Sequence, residues 1–130
     1  KVIRDATNNA RRRESPQAQI NNRMSAGIKR SLKDDKQRGH RWEKLVGYTG
    51  AQLKVHIEKK FLPGMNWENR KLWEIDHLIP LSAFNFQTAN DIDFKRAWAL
   101  SNLRPLWKFD NRSKGAKLAK PFQPSLTIAA

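Results

Sequence analysis

The chain contains no cysteine, a single tyrosine and only 12 acidic side chains among 130 residues. Without thiols there can be no disulfide scaffold and no Cys₄ zinc staple, and a reducing compartment is favoured. No apolar run is long enough to span a bilayer, and no basic n-region followed by an apolar h-region marks a signal peptide. The H-E-x-x-H pattern of a zinc protease is missing, and three scattered histidines do not replace it. Repeats and low-complexity tracts are also absent. The first residue is Lys1 rather than Met, so a fragment of a longer protein is one expectation.

The scarcity of acid matters because 26 Lys and Arg oppose it, leaving a formal net charge of +14. Such an excess resists compaction and favours a polyanionic partner. Nucleic acid leads, since neutralising phosphates releases counterions whatever the base sequence. An anionic membrane surface is the rival. The first 41 residues are the most basic, with twelve Lys and Arg against four acids. Arg11, Arg12 and Arg13 stand together in this arm.

Ser15-Pro16 is a helix start, with Ser at the N-cap and Pro at the first helical position. Ile20, Met24, Ile28 and Leu32 then recur every four residues as a narrow apolar stripe, with Gly39 as the stop. Thr49-Gly50-Ala51-Gln52 has capping-box spacing and opens a second helix carrying Leu53, Ile57 and Phe61. Leu62-Pro63-Gly64 ends it. His56 and His40 read as surface or boundary residues rather than ligands. Residues 71–77 predict a strand, 90–100 a helix capped by Asn90 with Asp93 at N3, 103–106 a short second strand and 109–118 a last helix. Pro105 lacks a backbone donor, so this should be an edge or irregular strand. The organisation expected is a basic arm and amphipathic helix over 1–40, a core over 41–120 and a tail over 121–130, forming one compact domain.

Within the apolar run KLWEIDHLIPLSAF, the pair Asp76–His77 is out of place unless it has partners, because an unpaired buried charge is costly. Asp76 offers hard oxygens suited to Mg²⁺ or Mn²⁺. His77 offers a nitrogen with an ordinary pKa of about 6.5, right for taking a proton from water. Asn111, in DNRSKG, can supply a second oxygen ligand. The amide of Asn102, in SNLRPL, can donate to one backbone group and accept from another, locking two segments beside His77. Arg112 and Lys114 bring positive charge next to Asn111. Each residue alone is as readily structural; the combination is far more specific.

The pattern EIDHLIPLSAF…SNLRPLWKFDNRSKG resembles the HNH endonucleases of the ββα-metal type, over roughly residues 71–117. His77, Asn102 and Asn111 fill the three motif positions in order, with Asn in the third place, a variation also found in the family. The resemblance implies one Mg²⁺ (or Mn²⁺) per site held by Asp76 and Asn111, with His77 as general base. It further implies that Asn102 positions the ββ segment, and that hydrolysis leaves 5′-phosphate and 3′-hydroxyl ends. Arg104, Arg112 and Lys114, with Arg11, Arg12 and Arg13, are the candidate phosphate-binding residues. A structural zinc is not expected; Trp67, Trp73, Trp98 and Trp107, with Phe84 and Phe86, are the candidate hydrophobic replacement.

The sequence therefore predicts an α+β domain, mostly helical, around a small two-stranded ββα motif, with a cleft between His77 and Asn111. The expected partner is DNA, double-stranded, with no membrane, in the cytoplasm of a bacterial or phage-infected cell. One site cuts both strands only by acting twice or as a homodimer. The alternative from another class is a catalytically silent basic nucleic-acid-binding module. An RNA-binding protein explains the charge but not the Asp–His–Asn–Asn set, and RNP aromatic motifs are missing.

Overall fold

The apolar stripe of the first helix sets the architecture. In the computed structural model, which describes residues 15–32, 41–115 and 122–125, helix α1 runs Pro16–Ser31 and the Ser15 hydroxyl accepts from Ala18 N. Ile20, Met24, Ile28 and Leu32 are all buried in one core with Leu53 and Ile57 of α3 (Gly50–Lys59). Helix α1 is therefore part of the same body as the rest. It ends at Leu32, whose backbone is extended, earlier than the Gly39 stop expected; Gly39 and His40 lie outside the described residues, as do Arg11, Arg12 and Arg13.

Helix α3 carries the full capping box: Thr49 Oγ1 accepts from Gln52 N while Gln52 Oε1 accepts from Thr49 N. A five-residue helix not foreseen, α2 (Trp42–Val46), precedes it and ends at Gly47 in the left-handed region, φ 82°. Trp42, Leu45 and Val46 share the spacing of a single turn, which is too short a signal to stand out. Glu43 Oε2 accepts from Gly50 N at 2.6 Å, tying α2 to the start of α3.

Strands β1 (Trp73–His77) and β2 (Leu103–Trp107) form an antiparallel pair in which Asp76 faces Arg104 and Ile75 faces Pro105. With two strands each is an edge, so Pro105 fits. Helix α5 (Lys108–Lys114) follows β2 directly and lies against both strands. The mixture of five α-helices and a two-stranded sheet among the described residues is the α+β fold expected. No described helix is long and apolar enough to cross a membrane.

The aromatic residues fill the interior. Trp73 and Trp98 are buried, and Trp67, Trp107, Phe84 and Phe86 pack against the core. Phe61, Trp67 and Trp73 meet edge-to-face with centroids 5.3 Å apart in each pair, a geometry that adds to simple area burial.

Helix α4 spans Ile92–Ala97, shorter than the expected 90–100, and its N-cap position is Asp91 rather than Asn90. Asp91 Oδ2 accepts from Gln87 N and Thr88 N, holding the turn before the helix. Asp93 does not cap: it is fully buried, accepting from Asn85 N, Ser125 N and Arg96 Nη1. Part of the expected tail is thereby docked. Arg96 stacks on Phe122 at 4.6 Å and Phe122 on Phe84 at 4.8 Å. The cause is one carboxylate whose hydrogen bonds must all come from protein.

Asp93→Ala strands two part-buried backbone donors and a partly exposed arginine and empties a buried site, so it is expected to lower stability by about 1–3 kcal/mol. Urea unfolding measures this; a loss well under about 1 kcal/mol contradicts the packing of residues 122–125.

Candidate functional site

Asp76 is 5% exposed at the end of β1. Such a carboxylate needs partners, and two cations supply them. Arg104, its cross-strand neighbour, donates from Nε at 3.0 Å. Lys114, on the last turn of α5, donates to Oδ1 at 3.0 Å and Oδ2 at 2.9 Å, and also to the His77 carbonyl. Arg104 and Lys114 thus turn inward to Asp76 and are committed to it here, whereas Arg112 is exposed. The register explains this: Glu74 and Asp76 share one face of β1, and α5 crosses that face with residues three apart. Asn111 Nδ2 donates to Glu74 Oε1 at 2.8 Å one turn before Lys114 meets Asp76.

His77 turns the other way. Its ring lies edge-to-face with Trp98, centroids 4.4 Å apart, and its Nε2 is buried without a hydrogen-bond partner among the described residues. Burial pushes the imidazole pKa down to about 4; Asp76 acts to raise it and the Lys114 ammonium to lower it. The ring is therefore neutral at physiological pH, the form that accepts a proton. A cavity of about 560 Å³ opens beside it, lined by Arg23, Gly27 and Arg30 of α1 and by His77, Trp98 and Lys108 among others. The cleft expected between His77 and Asn111 is instead a cavity between β1 and α1, because adjacent strand residues point to opposite faces and the chain does not turn until after His77.

Asn102 is buried and fully engaged. Its Nδ2 donates to Ala97 O at 2.9 Å and Ile79 O at 3.1 Å, while Oδ1 accepts from Ile79 N at 2.8 Å. Its backbone carbonyl accepts from Leu78 N at 2.8 Å. The two residues that follow His77 are thus fixed to the start of β2 by three bonds from one residue. His56, on α3, bonds through Nε2 to Leu103 O at 2.8 Å, bracing the start of β2. Arg23 was not singled out from the sequence. Its Nη2 donates to Arg70 O and Trp73 O, each at 2.8 Å, and its guanidinium lies 5.0 Å from the Trp73 ring centre. Only its place on the α1 flank, one residue before Met24 of the buried stripe, hinted at it.

Among the described residues no group of three His, Asp or Glu side chains is arranged to hold a metal. The oxygens near the end of β1 nevertheless suit a hard cation. Lys114 places an ammonium against both Asp76 oxygens and the His77 carbonyl, which marks a position where positive charge is favoured. Asp76 with the Asn111 amide oxygen can hold Mg²⁺ or Mn²⁺ there if Lys114 yields, since such ions keep several waters and need few protein oxygens.

No protein-family model matches the chain, and no solved structure matches it. The chain is similar to a protein of Acanthamoeba polyphaga mimivirus described as uncharacterized protein L426, with 30% identity over 103 residues. That similarity covers 76% of this chain and 44% of the viral protein, so the chain spans less than half the length of that relative.

The depressed His77 pKa sets a pH dependence. The unfolded imidazole gains a proton near pH 6.5 and the folded one only near 4. Stability from this group is fully present above about pH 6.5 and declines as pH falls toward 4, by up to about 3 kcal/mol. The test is urea unfolding of wild type and His77→Gln between pH 7 and 4. The difference between the two should shrink or reverse in favour of the variant on acidification; parallel curves contradict a buried neutral ring.

Proposed function

We propose that this protein is a divalent-metal-dependent DNA endonuclease of the HNH type, with His77 as general base. The observation that carries the reading is the order and contact of three elements. Strand β1 ends in Asp76–His77, β2 pairs with it antiparallel, and α5 leaves β2 at once to lie on the Asp76 face. This is the ββα arrangement that the motif resemblance implies.

In this reading His77 Nε2, neutral and unpaired, takes a proton from the water that attacks phosphorus. Asn102 keeps the ring in place by pinning the backbone at Ile79 to β2. The trigonal-bipyramidal phosphorane carries extra negative charge, which cationic side chains near α5 stabilise. Asp76 and Asn111 would hold a divalent ion, which would supply polarisation of the phosphate and countercharge for the leaving 3′-oxygen. The bond from phosphorus to that oxygen breaks, the departing 3′-oxygen takes a proton from solvent water and His77 gives up the one it took, leaving a 5′-phosphate and a 3′-hydroxyl. Duplex DNA is the substrate, with affinity falling steeply with salt because the contacts are to phosphate. The setting is cytoplasmic, and a homodimer is one route to double-strand cleavage.

One observation favours a second reading. Asp76 already has a cation on each oxygen, which is what a purely structural ion knot looks like. On that view the protein is a basic nucleic-acid-binding module without catalysis.

Supercoiled plasmid incubated with Mg²⁺ or Mn²⁺ separates the two. The nuclease reading expects nicked or linear product that disappears with chelator and falls at least about 100-fold in His77→Ala, the usual scale for loss of a general base. Plasmid shifted on a gel but left uncut by wild type assigns the chain to the binding module.

Lys114 provides a separate test. If a metal ion must displace its ammonium from Asp76, Lys114→Gln should bind Mn²⁺ several-fold tighter than wild type by calorimetry. Asp76→Asn should bind it at least tenfold more weakly. Unchanged affinity in both variants places the metal elsewhere.

A further inference from the structure

The cavity between α1 and β1 has a wall of unpaired donors that the chemistry of Asp76 and Asn111 does not use. Two of its lining residues carry a buried N–H donor without a hydrogen-bond partner among the described residues, Arg23 Nη1 and Trp98 Nε1; the third unpaired nitrogen, His77 Nε2, is the acceptor of the proposed base. Unpaired buried donors are individually costly and uncommon in folded proteins. Trp98 is 4% exposed, and its indole is held by close approach of α1: a Cβ at Gly27 would lie 3.2 Å from Trp98 Cη2. Arg23 is held by Arg70 O and Trp73 O through its other terminal nitrogen, so its orientation is fixed before anything binds.

The charge of the lining is one-sided. Arg23, Arg30 and Lys108 face one carboxylate, Glu74, whose Oε1 accepts from Asn111. Fixed N–H donors beside surplus cations suit an acceptor-rich anion. A volume of about 560 Å³ takes a group of nucleotide size. We propose that this cavity seats a backbone phosphate of the bound nucleic-acid strand. Trp98 Nε1–H and the Arg23 guanidinium are its donors, and Arg30 and Lys108 supply further countercharge. The proposal rests on the nuclease reading in that His77 borders both places: the phosphate held here lies next to the one that is cut. Helix α1, outside the ββα motif, then becomes part of the substrate site and sets the path of the strand.

The test uses the full chain in chelator, so that nothing is cleaved, with ¹⁵N-labelled tryptophan indoles as reporters. The chain has five tryptophans, and Trp98→Phe identifies the relevant signal. A short DNA duplex should move the Trp98 indole N–H resonance more than the other four. Arg30→Ala should flatten the slope of log affinity against log salt by about 0.9, the share of one phosphate. Trp98→Phe, which keeps an aromatic ring but removes the indole N–H and the Cη2 edge that meets Gly27, should weaken binding several-fold with the slope unchanged. If Trp98→Phe does not fold, the wild-type shift and Arg30→Ala decide the matter.

Duplex that binds without moving the Trp98 resonance, and with both variants at wild-type affinity and slope, overturns the proposal. A response to inorganic phosphate alone, with none to duplex, shows an adventitious anion only and overturns it too. Plasmid cutting with a silent Trp98 removes this cavity but leaves the nuclease reading. A responding Trp98 with no cutting keeps the cavity as a binding site and removes the nuclease.

Discussion

A single buried carboxylate joins the three elements of the motif. Asp76 belongs to β1, Arg104 to β2 and Lys114 to α5, and all three meet within hydrogen-bond distance. Taking a carboxylate out of water costs several kcal/mol, and only close, well-oriented cations offset it. The side chains of the strand pair and the helix therefore have one arrangement that satisfies them. Loss of Lys114 from this cluster need not scatter the motif, because Arg104 and the Asn111–Glu74 bond remain. That redundancy would let the same carboxylate serve a second cation in the proposed nuclease.

The strand end divides the molecule into two functional faces. Asp76 looks toward α5 and its positive charge, while His77 looks toward Trp98, α1 and the cavity. In the proposed nuclease, a substrate strand engaging both would pass over the edge of the sheet at His77. Asn102 makes that edge rigid, since it fixes Leu78 and Ile79 by backbone and side chain together. If His77 is the base, rigidity here matters more than elsewhere, because a base displaced by an ångström loses most of its effect.

Much of this was legible in residue order. The four-residue period from Ile20 to Leu32, the Ser15 and Thr49 caps and the alternation around Ile75 each encode a local rule, and the elements formed where those rules apply. The misses have long-range causes. Asn90 looked like a cap, but Asp91 won because its carboxylate also holds the turn at Gln87 and Thr88. Asp93 looked like the N3 residue of a helix capped by Asn90, yet it buries itself to bind Ser125, 32 positions later. At the site, residue types were readable and directions were not. Lys114 resembled a phosphate ligand by charge alone, and only the packing of α5 on β1 reveals its commitment to Asp76. Arg23 went unnoticed because nothing local marks an arginine that reaches across to Trp73.

The central claim is that the Asp76 knot is a cation site in which Lys114 stands where a metal ion binds. Mn²⁺ added at low stoichiometry to ¹⁵N-labelled protein tests it directly, through paramagnetic broadening of nearby signals. The account predicts early loss of the resonances of Asp76, His77 and Asn111, with the signals of α1 near Ile20 preserved. Broadening centred elsewhere, or none at concentrations that support plasmid cleavage, would contradict it.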